Sequence, residues 1–398
     1  MRIRYFADIR FPLERANGVQ TMETCHGLAR RGHHVHLAVR PDRFVPGRDP
    51  FAYYGLPPIA TLAIEYVRAP KGLAARRMAY VAQALWRTGA ARDVDVVLTR
   101  DLGLAALMLL VPARFRPPVV YESHGFAPAV SAELPLLHAG APAMGRAKRR
   151  RLDVRERRVW RRAEAYVTIT SGLARELEQH YGLRPRLAVV PDGARVAAPG
   201  PADHTQSREA GAEPVVGYAG HLYRWKGLDV LIAAIGQLPG VRGLVVGGLE
   251  GEPDLARVKA LADREAPGRV EFVGMVDPPL VPALLQRADV LVIPNLPSRI
   301  SAAYTSPLKL FEYMASGRPI VASDLPALRE VLRADENAVL VEPGRADALA
   351  AGIRRVMADP AFGARLSATA RRDVAHYSWD KRAERIEAAL RDAVEAHA

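Results

Sequence analysis

Cysteine occurs once in the 398 residues, at Cys25. A lone thiol excludes an internal disulfide and a thiolate metal cluster and points to a reducing compartment. Placed inside an apolar-periodic segment, Cys25 reads as a small core residue. Long apolar runs are also missing. The longest, Leu102 to Val111, is bounded by Asp101 and Pro112, well short of the roughly 20 residues of a spanning helix. The opening Met1-Arg2-Ile3-Arg4-Tyr5-Phe6-Ala7 reads as a strand rather than a basic segment followed by an apolar stretch. No export signal is read, and a cytoplasmic location is expected. Lysine is scarce, confined to Lys71, Lys148, Lys226, Lys259, Lys309 and Lys381.

Arginine is what abounds. Lysine and arginine together number 56 against 43 acids, a net charge of +13, and nearly all of the excess is arginine. That balance favours phosphates, anionic lipid or nucleic acid as partners without choosing among them. With 49% apolar and 25% charged residues the chain has material for sizeable cores. At roughly 150 residues per domain, two domains are expected.

Strands and helices alternate. Arg2 to Asp8 reads as a strand, Arg10 to Asn17 as an irregular loop and Gly18 to Arg31 as a helix closed by Gly32. Val35 to Val39 is the next strand. Val94–Thr99, Val119–Glu122 and Tyr166–Thr170 follow as strands, separated by helices over Leu102–Leu110 and Ala147–Ala163. The pattern stops in a polar, Pro/Gly-rich stretch and resumes at Val215. This predicts an α/β chain of two doubly wound, Rossmann-like domains facing a cleft. The boundaries read as 1–195, a linker at 196–213, 214–376, and a terminal helix over 377–398.

Ligands of open parallel sheets sit beyond the carboxyl ends of strands, where loops meet helix N-termini. Three places fit. In the first, the buried strand ending at Pro294 leads through a long loop to Ser306-Pro307, which reads as a serine cap followed by proline at the first helical position. That puts Lys309 in the first turn and Glu312 one turn on. Free amides with Lys309 suit an anion, and Glu312 can accept from a diol; the bland alternative is a solvated Lys-Glu pair. In the second, Gly217 to Asp229 runs from strand end through glycine turns into a helix, with Arg224 and Lys226 where a diphosphate would lie, or else as ordinary surface charges. It is not a Walker loop, because no Ser or Thr follows a Gly-Lys pair. In the third, His124 stands just past the strand Val119 to Glu122. Gly18 could admit a phosphate or serve as a turn residue. His33, His34 and His36 read as surface.

Asp93 and Asp95 form an acid pair ahead of their strand, on the edge away from the expected site, and read as capping or turn residues. No other acid or histidine set has ligand spacing, and no metal is expected. The run from Arg146 through Arg162 keeps a helical apolar stripe of Leu152, Val154, Val159 and Trp160 beneath dense positive charge. Its arginines, among them Arg149, Arg150, Arg151, Arg155 and Arg158, are read as a membrane or acceptor contact, each worth about 1 kcal/mol beside anionic lipid. A solvated helix face is the bland alternative. Without an aromatic platform, zinc spacing or helix-turn-helix, nucleic acid is not expected as a partner.

The segments Gly220-His221-Leu222 with Trp225-Lys226-Gly227-Leu228-Asp229, and Ser306-Pro307-Leu308-Lys309-Leu310-Phe311-Glu312-Tyr313-Met314-Ala315-Ser316-Gly317-Arg318-Pro319, resemble glycosyltransferase family 4. The resemblance extends to Gly18-Val19-Gln20, Glu122-Ser123-His124 and Tyr377-Ser378-Trp379. It implies a GT-B fold, a terminal helix crossing back to the first domain, and a retaining transfer from a nucleotide-diphosphate-sugar with no metal or other cofactor. Lys226 and His124 would be catalytic, Lys226 and His221 holding the diphosphate and His124 touching the transferred sugar. Glu312 would bind the ribose, Gly18 would admit the diphosphate and Gly274 with Met275 would contact the base. Gly220, Arg224, Tyr304, Thr305, Ser306, Leu308 and Lys309 complete the donor-binding set. The family pairs Glu312 with an earlier glutamate that here is Tyr304, which leaves Lys309 as a substitute polar contact. A glycan or lipid-linked acceptor at an anionic membrane surface is expected, in glycolipid or surface-polysaccharide assembly, with the protein peripheral at the inner face of the membrane. A nucleotide-sugar epimerase and a non-catalytic nucleotide-sugar binder remain as alternatives.

Overall fold

A computed structural model describes residues 1–67, 72–90, 93–137, 144–196 and 212–397. The chain divides into two compact units. Met1–Ala132, Pro142–Pro191 and Trp379–Ala398 form one, and Glu133–Ala141 with Asp192–Ser378 form the other. Most of the stretch read as a linker lies outside the described residues.

The chain begins with β1 (Arg2–Phe11), α1 (Ala16–Arg30), β2 (His34–Pro41), α2 (Pro50–Tyr54), β3 (Leu62–Tyr66) and α3 (Leu73–Ala90). It continues through β4 (Val96–Thr99), α4 (Leu102–Met108), β5 (Val119–Ser123), α5 (Ala127–Leu137), α6 (Arg146–Arg162), β6 (Ala165–Thr168), α7 (Ser171–Tyr181) and β7 (Leu187–Val189). β1 to β7 make one sheet in the order β3-β2-β1-β4-β5-β6-β7, parallel throughout.

The second unit holds β8 (Val215–Ala219), α8 (Leu228–Gly236), β9 (Arg242–Val246), α9 (Pro253–Glu265), β10 (Val270–Gly274) and α10 (Val281–Leu285). β11 (Val290–Ile293), α11 (Arg299–Ala303), α12 (Leu308–Ser316), β12 (Ile320–Ser323), α13 (Pro326–Arg329) and β13 (Val339–Val341) follow. α14 (Ala346–Ala358) and α15 (Pro360–Asp373) come next, and α16 (Trp379–Glu395) ends the chain. The second sheet is also parallel, in the order β10-β9-β8-β11-β12-β13.

Central strands β4, β5 and β11 are buried at every residue, as parallel strands covered on both faces must be. Helix starts follow local chemistry. Asp101 caps α4 by accepting from the Leu104 N–H, and Thr170 caps α7 by accepting from the Leu173 N–H. Thr170 is therefore a cap and not the end of β6. β1 runs on to Phe11, past a register shift beyond Phe6, where a loop had been expected. Edge strands β3, β7 and β13 went unread because short segments give weak periodicity, and the 18-residue helix α3 went unread as well.

α16 belongs to the first unit. Its Ile386, Ala389, Leu390 and Ala393 join Tyr5, Met22, Cys25 and Leu37 in one buried cluster. Its packing on α1 also overturns the reading of His33 as surface. His33 is buried, with Glu387 of α16 at 3.3 Å from Nε2 and the terminal amine of Met1 at 3.1 Å from Nδ1. Among the described residues no helix is long and apolar enough to cross a membrane.

α6 buries Glu156, Val159 and Trp160 and leaves Val154 exposed, so the buried stripe contains a carboxyl that the apolar reading passed over. Glu156 accepts from the Tyr166 hydroxyl at 2.7 Å and the Ala127 N–H at 3.2 Å. Burial raises its pKa from 4.5 to about 7, against the pull of those two bonds. The unfolded chain releases this proton first. The carboxyl's contribution to stability is therefore complete below about pH 4.5 and lost as pH rises through about 7. Glu156→Gln should be nearly neutral at pH 5 and more stable than the parent at pH 8, by on the order of 2–3 kcal/mol. Thermal melts at both pH values check this, and a pH-independent difference would contradict it.

Candidate functional site

In each sheet the strand order reverses once, between β1 and β4 in the first and between β8 and β11 in the second. Loops leaving such a pair diverge and open a crevice at the carboxyl edge. In the second unit those loops are Gly220–Gly227 and the segment from Pro294 to Pro307.

The first loop is built tightly. Gly227 has φ +72°, and a β-carbon there would stand 1.7 Å from the Pro294 carbonyl oxygen, so only glycine lets the turn lie against the end of β11. The Leu296 N–H donates to the Trp225 carbonyl at 2.9 Å, joining the two loops. Lys226 is half-buried with Nζ 3.8 Å from the Trp225 ring centre. Burial lowers its pKa from 10.5 to about 7. The Tyr218 hydroxyl donates to the His221 carbonyl at 2.6 Å, and the His221 ring stacks on Tyr223 at 5.2 Å. Arg224 is exposed.

The second loop departs from expectation at its helix start. Pro307 is itself the N-cap, α12 begins at Leu308, and no side chain caps it. The Ser306 hydroxyl instead accepts from the Asp192 N–H at 2.9 Å. Thr305 donates to the Ile300 carbonyl at 2.7 Å, and Tyr304 is buried. These three side chains and Leu308 are all buried.

Lys309 is no solvated partner of Glu312. It is 6% exposed, its Nζ lies 3.6 Å from the Tyr218 ring centre, and it meets no hydrogen-bond acceptor among the described residues. Burial first, then the charge of Lys226, push its pKa well below 10.5, with Glu312 pulling the other way. The Tyr313 hydroxyl accepts from the Ala219 N–H at 2.7 Å and so pins α12 to the end of β8. Gly274 closes β10 at the same edge, its carbonyl accepting from the Gly247 N–H at 2.8 Å, with Met275 half-buried after it.

In the first unit Gly18 lies inside α1, and packing accounts for the glycine. A β-carbon there would stand 2.3 Å from the Leu13 carbonyl oxygen and 2.4 Å from the Tyr54 hydroxyl. His124 follows β5 with its side chain 22% exposed and Nε2 2.5 Å from Glu122 Oε1. Glu122 is fully buried and also accepts from Gln20 at 2.6 Å and Arg382 of α16 at 2.6 Å. Burial would raise this carboxyl, but Arg382 and then His124 hold it well below the usual range. An ionised Glu122 only accepts, so His124 Nε2 carries the proton. Burial and the nearby Arg100 lower the imidazole to about 4, leaving it neutral at pH 7. Arg100, at the switch point, donates to Asn17 at 2.9 Å and also to Gln20.

Sequence reasoning missed Arg100, Gln20 and Arg382, whose contacts join distant segments. It also missed Asn295, fully buried after β11 with neither amide atom bonded among the described residues. A further pocket of the first unit is lined by Arg10, Arg40, Arg43 and Arg76. On α6, Arg149, Arg150 and Arg151 are exposed, whereas Arg155 and Arg158 are half-buried against α4, Arg158 donating to the Ala106 carbonyl at 3.2 Å. Asp95 accepts from the Arg2 N–H at 2.7 Å and its guanidinium at 3.1 Å, closing the start of β1.

Two parallel α/β units, each with one switch point, the second framed by glycine turns and lysines, define the GT-B class of fold. Comparison with known proteins then gives the family. A model described as "Glycosyl transferase 4-like domain" matches residues 17–193, and one described as "Glycosyl transferases group 1" matches residues 213–359. The chain belongs to glycosyltransferase family 4.

The D-inositol 3-phosphate glycosyltransferase of Xylanimonas cellulosilytica is 29% identical over 397 residues, covering 92% of this chain and 88% of that protein. That of Nocardia farcinica is 28% identical over 286 residues, covering 68% of this chain; the match spans only 60% of the Nocardia protein's length. Sucrose-phosphate synthase from Thermosynechococcus elongatus shares the fold with a TM-score of 0.78 at 21% identity, over 98% of each chain. Anabaena HepE in complex with UDP-glucose does so at 0.73 and 19%, over 98% of this chain and 99% of that one.

Proposed function

We propose that this protein is a retaining glycosyltransferase that moves a sugar from a nucleotide-diphosphate-sugar to a hydroxyl of a lipid-linked or membrane-proximal acceptor. The observation that carries the reading is the pair Lys226 and Lys309 at the switch point of the second unit, one of them buried with no acceptor among the described residues. Two ammonium groups beside helix N-terminal amides suit a diphosphate as its charge grows during departure. Glu312 would take the ribose hydroxyls and the backbone at Gly274 and Met275 the base. His124, neutral and oriented by Glu122, would sit at the transferred sugar. Ammonium groups supply the charge stabilisation, so no step asks for a metal. Among relatives, Anabaena HepE is solved with UDP-glucose.

For the acceptor, the arginine-lined pocket gives the first unit a recess suited to an anionic headgroup. The exposed Arg149, Arg150 and Arg151 of α6, and the exposed Met78 and Trp86 of α3, suit an anionic membrane surface, both helices packing on α4. Tyr304, buried where the family has its first glutamate, is the observation that favours the second reading, a non-catalytic nucleotide-sugar binder.

One experiment separates them. Release of nucleoside diphosphate is followed for UDP-, GDP- and ADP-sugars with vesicles of anionic phospholipid carrying a membrane-lipid extract as acceptor. Transfer with retained anomeric configuration is expected, lowered several-fold when Arg149, Arg150 and Arg151 are replaced by glutamate. Binding of a nucleotide-sugar with neither transfer nor release would select the binder.

A further inference from the structure

A lysine buried in a protein needs a partner for its charge, and among the described residues Lys309 has an aromatic face but no hydrogen-bond acceptor. Its ammonium lies over the Tyr218 ring at 3.6 Å, and its Cε and Nζ stand 3.3 Å from where a β-carbon on Gly220 would be. It therefore fronts the glycine turn that also carries Lys226. It is the second residue of α12, a nine-residue helix whose first amides have no side-chain cap. No acceptor among the described residues reaches its Nζ.

Among the described residues the charged groups around it are few. Lys226 approaches from the turn after β8, and Glu312 follows one turn on in α12. β8 presents Tyr218 beneath it, and the Tyr313 hydroxyl is engaged by Ala219. Of the elements packed on α12, α10 carries no charged side chain. α15 brings Arg371 to Gly317, at the opposite end of α12, and directs Asp373 to Asn337 and Arg333. His376 lies in the short helical segment Val374–Tyr377 beyond α15.

We propose that Lys309 is a ligand of the donor's diphosphate whose protonation is coupled to binding: a phosphate oxygen against Nζ supplies the acceptor that the buried amine lacks, and the site takes up protons as the donor binds. The inference rests on reading this site as the donor site. A buried ammonium with no hydrogen-bond acceptor among the described residues, beside a second ammonium, is disfavoured by both desolvation and like charge, and Glu312 with the face of Tyr218 offsets only part of that. An incoming diphosphate supplies the missing acceptor and reverses the balance, so binding takes up protons. Lys226, already lowered to about 7, adds to the effect. Linkage then makes affinity fall as pH rises, about ten-fold per pH unit for each proton taken up. A lysine at this position would also supply a contact in a site whose usual first glutamate is replaced by Tyr304.

Isothermal titration calorimetry with UDP-glucose, GDP-mannose and ADP-glucose tests this. In these diphosphate diesters the phosphates do not titrate between pH 6 and 9. For whichever of them binds, heats at pH 8 in buffers of different ionisation enthalpy report proton uptake. The parent should take up about one proton or more, and Lys309→Met about one fewer, with weaker binding at pH 6.5 and a flatter pH dependence. Melting of the unliganded variant controls for folding, and Lys309→Met should melt no lower than the parent because a buried amine is removed. Binding with equal uptake in parent and variant would overturn the proposal and leave the donor site standing. If none of the three binds, the donor-site reading falls and this inference with it.

Discussion

Arg382→Met should destabilise the first unit by about 3–5 kcal/mol, the range for breaking a buried ion pair from one side. Arg382 and Glu122 are 1% and 0% exposed, and they meet at 2.6 Å. Arg382 also donates to Thr24 at 3.2 Å and to the carbonyls of Val190 and Pro191 at 2.8 and 2.9 Å. Its loss leaves a buried carboxylate with Gln20 and His124 and strands two carbonyls. At roughly 2–4 °C per kcal/mol, a differential scan resolves this easily. Arg382→Met with Glu122→Gln should recover part of the loss, since no buried charge is then left unpaired. The native carboxyl of Glu122 is held below its unfolded pKa. Its stabilisation is therefore present above the unfolded value near 4.5 and lost as pH falls through the folded value, so the gap between parent and Arg382→Met should narrow in acid. An unchanged melting temperature would contradict the account.

Lys226→Ala should weaken nucleotide-sugar binding by about thirty-fold or more, taking about 2 kcal/mol as the lower end for losing one partner of a desolvated charge pair. The turn is rigid, with Gly227 against Pro294 and Leu296 bonded to Trp225, so alanine at 226 removes the ammonium without letting a neighbour move in. Folding should be unaffected, since burial already disfavours the charged form. Loss of affinity with an unchanged melting temperature is thus the expected pairing.

How much of this was legible beforehand follows from the range of each signal. Strand–helix alternation and the glycine turns at Gly220 and Gly227 are local, and local patterns survive folding. The switch points are not local, because they depend on strand order. Ser306 illustrates the limit at short range. It looks like a cap, yet the Asp192 N–H takes its hydroxyl from more than a hundred residues away. His33 looked exposed because nothing nearby reveals that Glu387 covers it. Arg155 and Arg158 read in sequence like their basic neighbours, but helix geometry turns them onto α4. The site's polar logic is likewise long-range. Arg382 reaches Glu122 across 260 residues of sequence, and the burial of Lys309 comes from β8 beneath α12.

If the second unit binds a nucleotide-diphosphate-sugar at the β8–β11 switch point, that binding depends on Lys226 and Glu312. Thermal-shift binding across nucleotides and nucleotide-sugars, with Lys226→Ala and Glu312→Ala alongside, decides this. Diphosphates of one base should raise the melting temperature of the parent, and both variants should lose most of that shift. No shift with any nucleotide at millimolar concentration, or a shift that survives in both variants, would contradict it.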